Sequence, residues 1–295
     1  MTDINFSIII PHRNIHTLLQ RCIDSIPARE DVQIIIVDDN SDPNIVDFDN
    51  FPGKNNPQVE IYLTKEGKGA GYARNVGLDH AKGKWLLFAD ADDYFSENLN
   101  KLFDEYLNAD SDVIYLLNDT FDQKSGKKTD VDSPVGSACK IYDSNSDLYN
   151  VLRYKCYAPW TKMVKRDMIV LHNIRFDEVK ASNDAFFSVK TGYYAAKIEV
   201  CPYIVYNRII RQGSLQYSIK KDLLLDRIKV GYSINNFLGS IGKIKYYNNI
   251  RSYIAQLREI STLIFLQQLI IFIFKSQPII LKDALVCFVN KFRHL

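Results

Sequence analysis

The chain has 295 residues, 46% apolar and 24% charged, enough for one large domain or one domain with an appendage, with an ordinary globular composition able to build a core. Its 37 Lys/Arg against 35 Asp/Glu leave a net charge of +2, too small, taken whole, to argue for an anionic partner. The five cysteines (Cys22, Cys139, Cys156, Cys201, Cys287) form no CxxC pair, so neither a zinc site nor a disulfide framework is supported.

The start, "MTDINFSIII", lacks the basic and long apolar regions of a signal peptide, which predicts a chain kept in the cytoplasm. "FSIIIP" (6–11) then reads as a short strand stopped by Pro11. Ile15, Leu18, Leu19, Cys22, Ile23 and Ile26 fall on one helical face. Strands follow at "VQIIIVDDNS" (32–41) and, more weakly, "QVEIYL" (58–63). A helix lies in "GAGYARNVGLDHAKG" (69–83), and "KWLLFA" (84–89) is a further strand. Continuous apolar strands separated by helices predict a mostly parallel, doubly wound α/β sheet covered on both faces, with ligands at the carboxyl ends of its strands. Both acidic clusters, Asp38-Asp39 and Asp90, Asp92 and Asp93, stand at such ends. After the strand "SDVIYLL" (111–117), "FDQKSGKKTD" (121–130) reads as an exposed hairpin or loop. Helices are expected over 144–155 and 183–194, a strand over 198–206, and helices from about 219 onward with a break at Pro278.

Charge is unevenly spread. Residues 219–295 carry 12 Lys/Arg against 4 Asp/Glu, a net of +8, leaving −6 on the rest. Within this tail "ISTLIFLQQLIIFIF" (260–274) has 15 uncharged residues, fewer than the roughly 17–25 a spanning helix needs. Two readings stand side by side: a buried core helix, or an interfacial helix flanked by Lys275, Lys282, Lys291 and Arg293.

The chemistry centres on "WLLFADADDYF" (85–95), where a buried strand runs into like charges that repel unless a cation or donors sit among them. Asp90 and Asp92, one residue apart, can turn toward one Mg²⁺ or Mn²⁺; the alternative is that Asp92 or Asp93 caps a helix beginning near Ser96. "VDDNS" (37–41) is a second acidic turn, suited to accept hydrogen bonds from a base or ribose. "GKGAGYARNVGL" (67–78) is a Gly-rich helix entry with Arg74 and Asn75 one turn in, chemistry that favours phosphate. Ser182, Asn183 and Asp184 have the residue types of a helix cap. "YNRIIRQGS" (206–214) places Arg208, Arg211 and Ser214 on one segment, with arginines suited to phosphate or to a solvated basic face. Trp160 reads by itself as the commoner case, a core residue. The histidines His12, His16, His80, His172 and His294 show no ligand spacing and read as structural.

Taken in order and spacing, "SIIIPHRN", "IIIVDDNSDP", "GAGYARNVGL" and "WLLFADADDYF" resemble the signature of family 2 glycosyltransferases with a GT-A fold. "APWTKMVKRDMI" (158–169), "SNDAFFSVKTGYYAAKI" (182–198) and "VYNRIIRQGSL" (205–215) resemble the bacterial polysaccharide branch of that family. The likeness covers residues 5–218. It implies a GT-A domain over 1–218, with a nucleotide-binding half (1–117) and an acceptor-binding half (118–218), followed by a helical region over 219–295. It further implies metal-dependent, inverting transfer of a sugar from a nucleotide sugar, commonly a UDP-sugar, to a growing surface glycan. That acceptor would be lipid-linked at the inner membrane face, reached by peripheral contact through 219–295, and nucleic acid would have no part. Carried onto this sequence, Asp39 would contact uracil or ribose, Pro11 and Arg13 would line the nucleotide pocket, and Arg74 would help hold the nucleotide. Asp90 would face ribose or metal-bound water, and Asp92 would ligate the Mn²⁺ or Mg²⁺ that bridges the phosphates. Asp184 would be the base that takes the acceptor proton, with Asn183 and Trp160 near the acceptor and Arg208 and Arg211 on the diphosphate. His12 stands where an aromatic or small aliphatic residue is usual, and Asn183 where the family has Glu. A nucleotidyltransferase, or a non-catalytic partner of a glycan assembly complex, is the alternative class. The former normally opens with a Gly-rich basic loop where this chain has "PHRNIH".

Overall fold

A computed structural model describes residues 3–275 apart from 130, 132, 142–145 and 212–218. The expected break at Pro278 and Ser214, Lys282, Cys287, Lys291, Arg293 and His294 lie outside the described residues. Eight strands form one sheet: β1 (Phe6–His12), β2 (Val32–Asp39), β3 (Val59–Thr64), β4 (Trp85–Phe88), β5 (Tyr94–Phe95), β6 (Val113–Asp122), β7 (Lys162–Lys165) and β8 (Ile198–Ile210), in the order β3-β2-β1-β4-β7-β6-β8-β5.

Alternate side chains of each strand serve opposite faces, and both faces are covered, which is why the strands read as unbroken apolar runs. On one face Phe6, Ile8 and Ile10 pack with Leu19, Cys22 and Ile23 of α1 (His16–Asp24) and with Leu99, Leu102 and Phe103 of α3 (Asn98–Tyr106). On the other, Ile9, Ile35 and Val37 meet Ala73 and Leu78 of α2 (Ala70–His80). Leu152 of α5 (Ser146–Lys155), Met168 of α6 (Arg166–Leu171) and Phe187 of α7 (Ala185–Tyr194) join that second cluster, as does Ala138 of α4 (Pro134–Ile141).

β3, β2, β1 and β4 pair in parallel as expected, and so do β6 and β8. The sheet is nevertheless mixed, because β7 enters antiparallel between β4 and β6, and β5 pairs antiparallel with β8. Four-residue β7, arriving through a 3-10 turn at Pro159–Thr161, has lysine at both ends and shows no apolar run. The polar segment 121–130 does make a hairpin-like turn, closed by an antiparallel bridge between Phe121 and Lys128.

Residues beyond the sheet form α8 (Lys221–Ser240), α9 (Ile250–Leu257) and α10 (Thr262–Lys275). α8 uses two sides. Val230, Ile234 and Leu238 pack on Tyr154 of α5 and Val189 of α7, while Leu224 and Ile228 pack on α9 and on Phe272 of α10. α10 is only half covered: Phe272 is buried, but Leu263 is 78% and Phe274 84% exposed, with Leu266, Ile270 and Ile273 also exposed. It is therefore no core helix. Among the described residues, no helix is long and apolar enough to cross a membrane.

Candidate active site

The carboxyl ends of β1, β2 and β4 converge, and the loops leaving them are tied together by buried carboxylates. Asp38 accepts from His12 Nδ1 at 2.7 Å and from Ser41 through both its backbone N–H (2.9 Å) and its hydroxyl (2.5 Å). Because His12 Nε2 accepts the Ile15 N–H at 3.2 Å, the proton is assigned to Nδ1, donating to Asp38. Burial raises the Asp38 pKa, but the His12 and Ser41 hydrogen bonds outweigh it and leave the carboxyl below its ordinary value. The neighbouring turns hold Asn14 and Asn40 at positive φ (57° and 60°), the left-handed conformation that asparagine tolerates best after glycine. Pro11 is buried in β1. Arg13, half exposed, reaches to 3.8 Å from Asp39. Asp39 itself is buried and accepts from the backbone N–H groups of Lys68 (3.0 Å) and Gly69 (2.6 Å), so its oxygens fasten the Gly-rich loop.

α2 then joins this loop to the segment that precedes α7. A Cβ at Gly71 would lie 2.1 Å from the Asp177 carbonyl oxygen, so only glycine allows the two backbones this approach. One turn on, the Asn75 side chain accepts from Phe176 N (2.9 Å) and donates to Phe176 O (3.0 Å). Between these contacts the buried Arg74 guanidinium donates to Asn183 Oδ1 (2.8 Å) and to Asp90 Oδ1 (2.6 Å). Arg74 thus bridges the acidic turn to the segment preceding α7.

Each carboxylate of the acid-rich turn is made tolerable by its own partners. Asp90 has Arg74. Asp92 Oδ2 takes Arg211 Nε at 2.5 Å, from the end of β8. Asp93 accepts from Ile209 N (2.7 Å) and from the Tyr206 hydroxyl (2.9 Å), whose oxygen in turn accepts Asp90 N–H at 2.9 Å. Burial, with Asp90 adding its charge, raises the Asp92 pKa, and Arg211 opposes this. Asp93 is raised well above the ordinary value by burial and by Asp90 and Asp92. Neither residue caps α3, whose N-cap is Glu97; Ser96 Oγ accepts Asn98 N–H instead. Among the described residues no group of three or more His, Cys, Asp or Glu side chains is placed to hold a metal, so a cation here would take most of its ligands from elsewhere.

Across from the turn, Ser182 stands at φ 58° and Asp184 occupies the N-cap position of α7 without a side-chain capping hydrogen bond. Burial raises the Asp184 pKa, Arg74 opposes that rise, Asp90 adds to it and Lys162 opposes it. Asn183 is committed to Arg74. Arg208 lies in β8 beside Thr120 of β6. Trp160 is 7% exposed and stacks on Tyr206, ring centroids 5.0 Å apart, in the core. Tyr206, the His12–Asp38–Ser41 link and Lys162 escape a sequence reading. Only Lys162, a lysine beside the apolar Met163 and Val164, leaves a visible signal.

A family model described as glycosyl transferase family 2 matches residues 7–171, more than half of the chain. Glycosyltransferase GlyA of Streptococcus pneumoniae serotype 4 is 24% identical over 73% of this chain, and the minor teichoic acid biosynthesis protein GgaB of Bacillus subtilis is 30% identical over 61% of it. The matched regions make up 32% and 20% of those proteins, so the chain spans about a third or less of either. Among solved structures, Staphylococcus aureus TarS 1-349 in complex with UDP-GlcNAc superposes with a TM-score of 0.63 at 21% identity, covering 87% of this chain and 71% of that one. That likeness speaks for the fold. With the family match spanning both acidic turns, the Gly-rich helix and β7, the chain belongs to glycosyl transferase family 2.

Proposed function

We propose that this chain is an inverting glycosyltransferase that moves a sugar from a UDP-sugar to a glycan acceptor during assembly of a bacterial surface polysaccharide. The observation that carries the reading is Asp184: a carboxylate at a helix start, unused for capping, raised in pKa, and joined through Asn183 and Arg74 to the acidic turn. A raised carboxyl is matched to taking a hydroxyl proton from the acceptor as the new bond forms. Pro11, Arg13 and Asp39 form the nucleotide end, with Asp90 toward the ribose and Arg74 holding the arrangement. Arg208 and Arg211 supply positive charge to the diphosphate. Asn183, in place of the usual Glu, shapes the acceptor side.

Asp92 is the residue that would hold a Mn²⁺ or Mg²⁺. Its hard oxygen donors fit a cation that shares its shell with substrate phosphates and water. Such an ion, when bound, offsets the charge that develops on the departing diphosphate. The exposed apolar side of α10, ending at Lys275, supports a peripheral seat at the inner membrane face, where a lipid-linked acceptor would be met. Release of UDP from one or two members of a UDP-sugar panel in Mn²⁺, abolished in Asp92→Ala and in Asp184→Asn, is the expected result. Pyrophosphate-dependent formation of UTP, or no donor binding at all, would overturn the proposal.

A further inference from the structure

Lys162 is a buried charge that the site described above leaves unused. It stands on β7 opposite Tyr115 of β6, fully enclosed. Its Nζ donates to the carbonyls of Cys156 (2.7 Å) and Ala158 (2.8 Å) and lies 3.3 Å from Ser188 Oγ and 3.4 Å from Thr161 Oγ1. The Tyr115 ring sits 5.6 Å away. Ser188 Oγ in turn donates to the Tyr157 carbonyl. Each of these hydrogen-bond partners is neutral, and a buried ammonium held by dipoles alone is costly. The burial pushes the amine down to about 8, with Cys156 and Asp184 both working to raise it.

Among the groups acting on this amine, Asp184 is the carboxylate. It lies one helical turn before Ser188, whose N–H bonds the Asp184 carbonyl at 3.0 Å, so the two side chains occupy neighbouring positions on α7. The charged groups acting on Asp184 come from three elements: Arg74 from α2, Asp90 from the turn after β4, and Lys162 from β7. We propose that Lys162 is a positioning residue for Asp184: its ammonium, locked by the Cys156 and Ala158 carbonyls and by Ser188, keeps that carboxylate ionised and fixes the first turn of α7. This rests on Asp184 being the base. Arg74 acts on the same carboxylate from α2 and Lys162 from β7, both buried where screening by salt and water is weak.

The test uses reciprocity, since two groups that stabilise each other's charge must shift each other equally. In the full chain carrying ¹³C-labelled lysine, the Lys162 titration is followed by NMR and assigned by its loss in Lys162→Arg. Asp184→Asn should move it down by about one pH unit. In Lys162→Met the acid limb of kcat/KM should move up by about as much, while Lys162→Arg, which keeps the charge, leaves the limb in place even if stability falls. A Lys162 titration unaltered by Asp184→Asn, or Lys162→Met losing turnover with its acid limb unmoved, would overturn the proposal and leave Lys162 a structural lysine. Should Lys162→Met fail to fold, the Asp184→Asn titration decides by itself. Persisting turnover in Asp184→Asn with a shifted Lys162 would instead refute the base while leaving the coupling intact.

Discussion

Replacing Arg211 by methionine should change cation binding and nucleotide binding in opposite directions. Arg211 Nε lies 2.5 Å from Asp92 Oδ2, with side-chain exposures of 37% and 18%. Two unit charges about 4 Å apart attract by about 4 kcal/mol at an effective dielectric near 20. A guanidinium exposed by more than a third is screened by water and salt, which reduces this to about 1–2 kcal/mol. A Mn²⁺ ion held by Asp92, as proposed, would compete with that guanidinium for the carboxylate. Its removal should therefore tighten binding of Mn²⁺ alone by roughly 5- to 30-fold. UDP binding in saturating Mn²⁺ should weaken, by roughly tenfold or more, because the phosphate contact proposed for Arg211, charge-assisted and of about 1.5–3 kcal/mol, would be lost. Isothermal titration calorimetry measures both. In an Asp92→Ala background the Mn²⁺ gain should vanish, since the two side chains act on the same site. Equal Mn²⁺ affinity in the parent chain and Arg211→Met, or a gain that survives Asp92→Ala, would show that the cation does not compete for this carboxylate.

Three further outcomes follow from the same geometry. The Asp184 carboxyl is raised above its ordinary value of 3.8, and as the proposed base it works only when ionised, so kcat/KM should fall with decreasing pH through a limb above that value; Asp184→Asn should abolish turnover across the range. Gly71→Ala places a methyl 2.1 Å from the Asp177 carbonyl, which should cost about 1–3 kcal/mol in chemical denaturation and lower turnover by moving the Asn183–Asp184 segment; unchanged stability would mean the two backbones part freely. Leu266→Ser with Phe274→Ser should reduce flotation with anionic phospholipid vesicles several-fold while leaving UDP-sugar hydrolysis intact, and equal flotation would remove α10 as the contact.

Much of the fold was legible because its signals are local. The runs "FSIII", "VQIIIV" and "WLLF" are strands buried on both faces, and such strands announce themselves without reference to neighbours. The acidic turns were equally visible, as charges at strand ends. β7 was not, since four residues bounded by lysines have no periodicity to read; its place between β4 and β6 depends on partners more than forty residues away. α10 was legible as an uncharged helix, while its half-exposed state depends on how little of it α8 and α9 cover.

The side chains show the same division. Sequence by itself determined the residue types available for chemistry: carboxylates at two strand ends, arginine and asparagine in a Gly-rich helix entry, and Asn183-Asp184 before a helix. Tertiary structure alone decided what each carboxylate faces. Asp38 went to His12 and Asp39 to the loop backbone, Asp90 to Arg74, Asp92 to Arg211, and Asp93 to Tyr206 and Ile209. The physical reason is that a buried charge is stabilised by groups within a few ångströms in space, and folding brings those groups from positions up to 119 residues apart in the chain.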